Sequence, residues 1–140
     1  MPRTFVLHTP LDPDDLKIVD FTGKESLSTV SEFDLKCVFG SPDIEATDLL
    51  GKDMTLEIVN QEGNSRFLNG IVTRFAYIGP DGSANDRYIY HVQLHSWLWL
   101  ADHHADARIY QEMDVKTIIE KVLKVFGMPV EFRLFRLFCG

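Results

Sequence analysis

Apolar and polar side chains alternate strictly over residues 32–39. Phe33, Leu35, Cys37 and Phe39 share one face, while Glu32, Asp34 and Lys36 take the other. A period of two with one apolar face predicts a half-buried β-strand. The pattern recurs in residues 54–60, where Met54, Leu56 and Ile58 align. Shorter runs at 5–8 and 16–21 predict two further strands, the second followed by a turn at Gly23. Residues 43–51 fit one short helical turn, and Gln61-Glu62-Gly63-Asn64 fits a hairpin turn. Residues 66–78 and 87–100 are longer, and Gly79-Pro80-Asp81-Gly82-Ser83 separates them as a strong turn signal. Together they predict one extended β-hairpin, with a bulge or bend at Gly70 and with Trp97 and Trp99 on one strand face.

Only residues 114–126 carry a clear helical period. Val115, Ile118, Ile119, Val122, Leu123 and Phe126 form one apolar stripe. Asp114 is suited to the N-cap, and Gly127 followed by Pro129 marks the end. A helix this short is marginal alone in water, so its stripe is expected to bury against the sheet. Neighbouring strands joined by hairpins, several of them long and bent, predict a mainly β fold. The expected form is a small antiparallel barrel with one packed helix, in a single domain over residues 1–140. Closure would remove exposed strand edges.

Composition narrows the function. A length of 140 residues suits one domain, and 45% hydrophobic with 25% charged residues is ordinary for a globular chain. The net charge of −7 argues against nucleic acid, where affinity rests on Lys and Arg. It disfavours an anionic membrane surface equally. Ten Phe, four Tyr and two Trp supply aromatic material for a core or an interface. Cys37 and Cys139 read as reduced thiols, because disulfide scaffolds are far denser in cysteine. Residues 1–8 hold too short an apolar run for a signal peptide, and no stretch nears the ~20 residues of a membrane span.

A series of motifs then becomes recognisable. It runs from Phe21-Thr22-Gly23-Lys24-Glu25-Ser26-Leu27-Ser28 into Phe33-Asp34-Leu35, then Leu49-Leu50-Gly51-Lys52 before a strand. Phe67-Leu68-Asn69-Gly70-Ile71-Val72-Thr73-Arg74-Phe75 follows. Trp97-Leu98-Trp99-Leu100 and Arg108-Ile109-Tyr110-Gln111 lead into the capped helix. The order and spacing over residues 3–130 resemble the start of VgrG-type spike proteins of type VI secretion systems. That start is similar to the hub protein of contractile phage tails. The resemblance implies an antiparallel β-barrel of the phage tail hub/tube type and a structural, non-enzymatic role in a Gram-negative bacterium. It implies a homotrimeric hub in the full-length protein, seated on the Hcp tube, a stacked-ring protein. Effectors would be carried through the missing C-terminal part. Such a protein is made in the cytoplasm without a signal peptide and exported with the spike. Residues 133–140 do not follow the family's continuation, so the chain reads as the N-terminal fragment of a longer spike protein. A phage tail or late-control hub protein of the same fold is the alternative.

Chemistry-bearing residues are few. His91 and His95, four apart on a strand, stand ~13 Å from each other, too far to share a metal. Asp102-His103-His104-Ala105-Asp106 is the one dense cluster, and a metal-dependent hydrolase using residues 103–106 is the rival from another class. Adjacent His103 and His104 diverge if extended, which favours a solvated loop. Ser96 lacks the glycines of a nucleophile elbow, and Asp12-Pro13-Asp14-Asp15 lacks the Gly and Glu of a calcium loop. No cofactor, metal or catalytic residue is therefore expected. Trp97, Trp99, Phe75 and Tyr77 are the candidate interface residues, with Arg108 stacking on the tryptophans or pairing with an acidic neighbour.

Overall fold

The computed structural model describes residues 4–11 and 16–133. The segment 12–15, Cys139 and all of the C-terminal tail beyond Arg133 lie outside the described residues. The chain divides into two compact units, Met1–Trp99 and Leu100–Gly140.

In the first unit, six strands form one antiparallel sheet. They are β1 (Thr4–His8), β2 (Leu16–Lys24), β3 (Glu32–Phe39), β4 (Asp53–Val59), β5 (Ser65–Pro80) and β6 (Tyr88–His95), hydrogen-bonded in the order β1-β4-β5-β6-β3-β2. Residues 32–39 form a strand with the alternation read from the sequence: Phe33, Leu35 and Cys37 are buried, and Lys36 is exposed. Gly23 lies inside β2, paired with Phe33, and not in a turn after it. Its lack of a side chain makes room for the Phe33 ring, which would stand 2.9 Å from an added Cβ.

The sheet curls so that its two edge strands approach. Phe5 of β1 meets Phe21 of β2 edge-on, ring centroids 5.4 Å apart. Among the described residues no hydrogen-bonded ladder joins β1 to β2. The expected closed barrel is thus a curled, half-barrel sheet with a side-chain seam. Three bulges, at Val19, Thr73 and Ile78, supply the bending. Gly70, expected to mark a bulge or bend, keeps regular register with Met54 and makes no bulge there. It is glycine because β5 runs close to β6: an added Cβ would stand 2.8 Å from the His95 carbonyl oxygen.

The core lines the concave face. Leu35, Cys37, Leu49, Val92 and Leu94 are fully buried, with Leu7, Leu16, Phe33, Met54, Leu56, Leu68, Val72 and Tyr90 around them. Each such aliphatic side chain contributes roughly 1.5–3 kcal/mol by leaving water. Leu49 comes from the short helix α1 (Ala46–Leu49), the helical turn expected in residues 43–51. The chain after α1 is stitched to β5, Gly51 N donating to Val72 O and Val72 N to Lys52 O. The β4–β5 turn is held by Asn60, whose Oδ1 accepts from Glu62 N and Asn64 N.

β6 ends at His95, five residues before the end of the strand expected at 87–100. Residues Leu98–Asp102 instead form a short helix, α2, which straddles the division between the units.

The second unit holds α3 (Val115–Leu123) and a 3-10 turn, Lys124–Phe126, together covering the helix read from the sequence. Asp114 caps α3 by accepting from Thr117 N at 2.7 Å. Gly127 ends it in the left-handed conformation, at φ 65°. The stripe, however, is not buried as expected. No residue of α3 is buried, and Val115 keeps 71% of its surface exposed.

Candidate assembly surface

The β5–β6 hairpin positions two of the four candidate aromatics. Register pairs Phe75 with Val92, Tyr77 with Tyr90 and Pro80 with Tyr88. The bulges at Thr73 and Ile78 keep Val72, Phe75, Tyr77 and Pro80 in step with the concave-face residues Leu94, Val92, Tyr90 and Tyr88. Phe75 stacks on Tyr90 at 5.0 Å, and Tyr77 tilts against both Tyr90 and Tyr88. Burial pushes the Tyr90 phenol above its usual range, and its hydroxyl donates to Ser41 O at 3.0 Å. Phe75 is therefore mostly core packing, whereas Tyr77 keeps 50% of its surface in solvent. Tyr88 and Tyr90 complete the cluster. The pairing across the turn could have indicated them, since cross-strand aromatics are the units of sheet stabilisation.

The two tryptophans are elsewhere. Trp97 sits in a turn and Trp99 in α2, so they do not share a strand face. Ser96 starts that turn: Trp99 N donates to Ser96 O, and Ser96 N donates to Ser31 O. A Ser ahead of Trp-Leu-Trp-Leu-Ala-Asp was a readable helix-start signal. Trp99 stacks on His95, centroids 5.3 Å apart. His95 is buried, and its Nδ1 lies 2.6 Å from Thr73 Oγ1. Phe75 and Tyr77 lie opposite Val92 and Tyr90, three and five residues before His95, roughly 10 and 17 Å along the strand. The four candidate residues thus form two groups, one alongside β6 and one beyond its end at His95.

The histidine cluster is not brought to a point. In the second unit, the His104 ring meets Phe126 edge-on at 5.8 Å, and the Asp106 carboxylate binds Arg108 Nε. That ion pair raises the Arg108 guanidinium above its ordinary value. Among the described residues no three His, Cys, Asp or Glu side chains are placed to hold a metal. His91 and His95 share the outer sheet face but have separate partners, His91 Nε2 lying 3.2 Å from Asp34 Oδ1. The second unit also carries a shallow cavity of about 190 Å³ between Arg108, Tyr110, Val122 and Phe126.

The fold has clear relatives. The model of the phage tail baseplate hub (GPD) family matches residues 24–137. The chain belongs to the phage tail baseplate hub family. Within that family it resembles type VI secretion system spike proteins of Pseudomonas aeruginosa. It is 32% identical to VgrG1a over 127 residues, covering 91% of this chain and 19% of that protein. It is 32% identical to VgrG1c over 133 residues, 90% of this chain and 18% of that protein. The chain therefore spans about a fifth of the length of these relatives. A solved E. coli protein, c3393, aligns with a TM-score of 0.70 at 25% identity, over 84% of this chain and 31% of that one. It is described as a component of the type VI secretion system with structural similarity to the T4 bacteriophage tail proteins gp27 and gp5. The VgrG-type resemblance and the mainly β hub fold are both borne out.

Proposed function

We propose that this hub-family chain is a structural part of a type VI secretion spike, assembling as three like copies into a ring that sits on the Hcp tube. The observation that carries this is the 0.70 TM-score to a type VI secretion component over most of the chain. Effector delivery would fall to the parts of the spike beyond this segment. The role is geometric rather than catalytic: a rigid sheet offers surface, and cyclic symmetry turns that surface into a ring. Tyr77, at the end of the hairpin, and the apolar face of α3 are the contact surfaces in this reading. Val115, Ile119 and Val122 are each exposed enough to seat on a partner. Trp97 and Trp99 are the secondary candidates. No helix among the described residues is long and apolar enough to cross a membrane.

The test is sedimentation velocity of the chain with and without purified Hcp rings. Concentration-dependent growth towards a trimer, and co-sedimentation with the rings, are expected. A monomer at every concentration that never joins the rings would contradict the reading. The family model itself favours one other reading, a phage tail hub of the same fold, which would show binding to a phage tube ring and none to Hcp.

A further inference from the structure

We infer that Thr73, His95 and Trp99 form a proton-responsive latch at the point where the chain leaves the sheet. His95 is the one buried polar or charged side chain among the described residues. It lies on the outer sheet face, so the inner core does not bury it; the Trp99 ring lies against it, inclined by 29°. The bulge at Thr73 provides the third member. An extra residue in β5 re-aims the threonine, whose Oγ1 sits 2.6 Å from His95 Nδ1 and 3.3 Å from Gln93 O.

This arrangement serves both protonation states without moving a heavy atom. With a neutral imidazole, the Thr73 hydroxyl donates to Nδ1. With the imidazolium, Nδ1–H donates to Oγ1 and the hydroxyl proton turns to Gln93 O. Glu32 of β3 stands opposite His95 in register, its carboxylate accepting from Gln93 Nε2 at 2.9 Å. Lys24 of β2 pairs with Glu32 one strand further out. β5 contributes the uncharged Ile71, Thr73 and the Gly70 backbone, and one charged residue, the exposed Arg74 opposite Gln93. α2 contributes Trp99, whose ring face attracts a cation. Acid therefore tightens the hold on α2.

The test uses the whole chain carrying Trp97→Phe, so that emission reports Trp99. Lowering the pH from about 8 to about 5, where imidazole charges, should give a one-step loss of Trp99 emission. His95→Gln should abolish the step, and Thr73→Val should displace it while Thr73→Ser leaves it in place. A flat titration, or a step that survives His95→Gln, overturns the inference. Should His95→Gln not fold, the unsubstituted chain decides by NMR. The Trp99 indole resonance must titrate together with the His95 ring, and an indole that stays still while His95 charges overturns it.

Discussion

Phe5 and Phe21 meet edge-on between β1 and β2, where the described residues form no hydrogen-bonded ladder, at 5.4 Å between ring centroids and 66° between ring planes. Each comes from an edge strand, and the sheet is otherwise continuous from β1 round to β2. The contact lets a half-barrel bury its concave face without a closing ladder. Phe5→Ala and Phe21→Ala should each cost about 1–3 kcal/mol, less than a fully buried Phe because Phe5 is partly exposed. A double-mutant cycle by urea unfolding should show coupling of about 0.5–1.5 kcal/mol. Additive losses would mean that the seam is held elsewhere.

Gly70 tests how closely β5 packs on β6. A methyl group there meets the His95 carbonyl oxygen at 2.8 Å and Leu94 Cβ at 3.1 Å. Both neighbours belong to the fixed strand, so Gly70→Ala should destabilise by about 1–3 kcal/mol. Gly40→Ala, which meets nothing within 4 Å, should stay within about 0.5 kcal/mol. Thermal melts of the two variants compare them directly.

The Cys37 thiol is pushed up from 9.0 to about 12 by burial among core side chains. The folded state thus holds the proton more tightly than the unfolded chain does. That stabilisation is fully present below pH 9 and is lost as pH rises from about 9 towards about 12. Stability of the unsubstituted chain should fall faster over this interval than that of Cys37→Ala. Parallel curves in alkaline denaturant titrations would show that the thiol is not shielded.

At the start of α3, the backbone hydrogen bond from Thr117, followed by the one from its hydroxyl, holds the Asp114 carboxyl below its usual range. A lowered value stabilises the folded state above the ordinary carboxylate range and is lost as pH falls through it. Helical circular dichroism should therefore weaken in acid for the unsubstituted chain. Asp114→Asn keeps an accepting oxygen and should remove that acid dependence, whereas Asp114→Ala should lower helicity at all pH values.

The strands and the capped helix were legible because their signals are local. The alternation at Phe33, Leu35 and Cys37, and the Asp114 and Gly127 ends of the helix, each follow from one stretch of chain. What misled is non-local. Trp97 and Trp99 continue the apolar run of β6, and that run outweighs the helix-start signal at Ser96, where the chain turns into α2. Gly70 read as a bulge or bend, whereas its visible constraint, the His95 carbonyl, is 25 residues away in sequence. Period identified the apolar face of α3, but period says nothing about what covers it. Period did not separate the two hairpin aromatics either: Tyr77 is exposed, while Phe75 packs partly against the core.

Electron cryomicroscopy of assembled tubes carrying the spike tests the central claim most directly. The account predicts three copies of this curled six-stranded sheet in a ring at the tube end, with Tyr77 or the α3 face at the contacts. Density that places the sheet away from the tube, or as a single unrepeated copy, would contradict it.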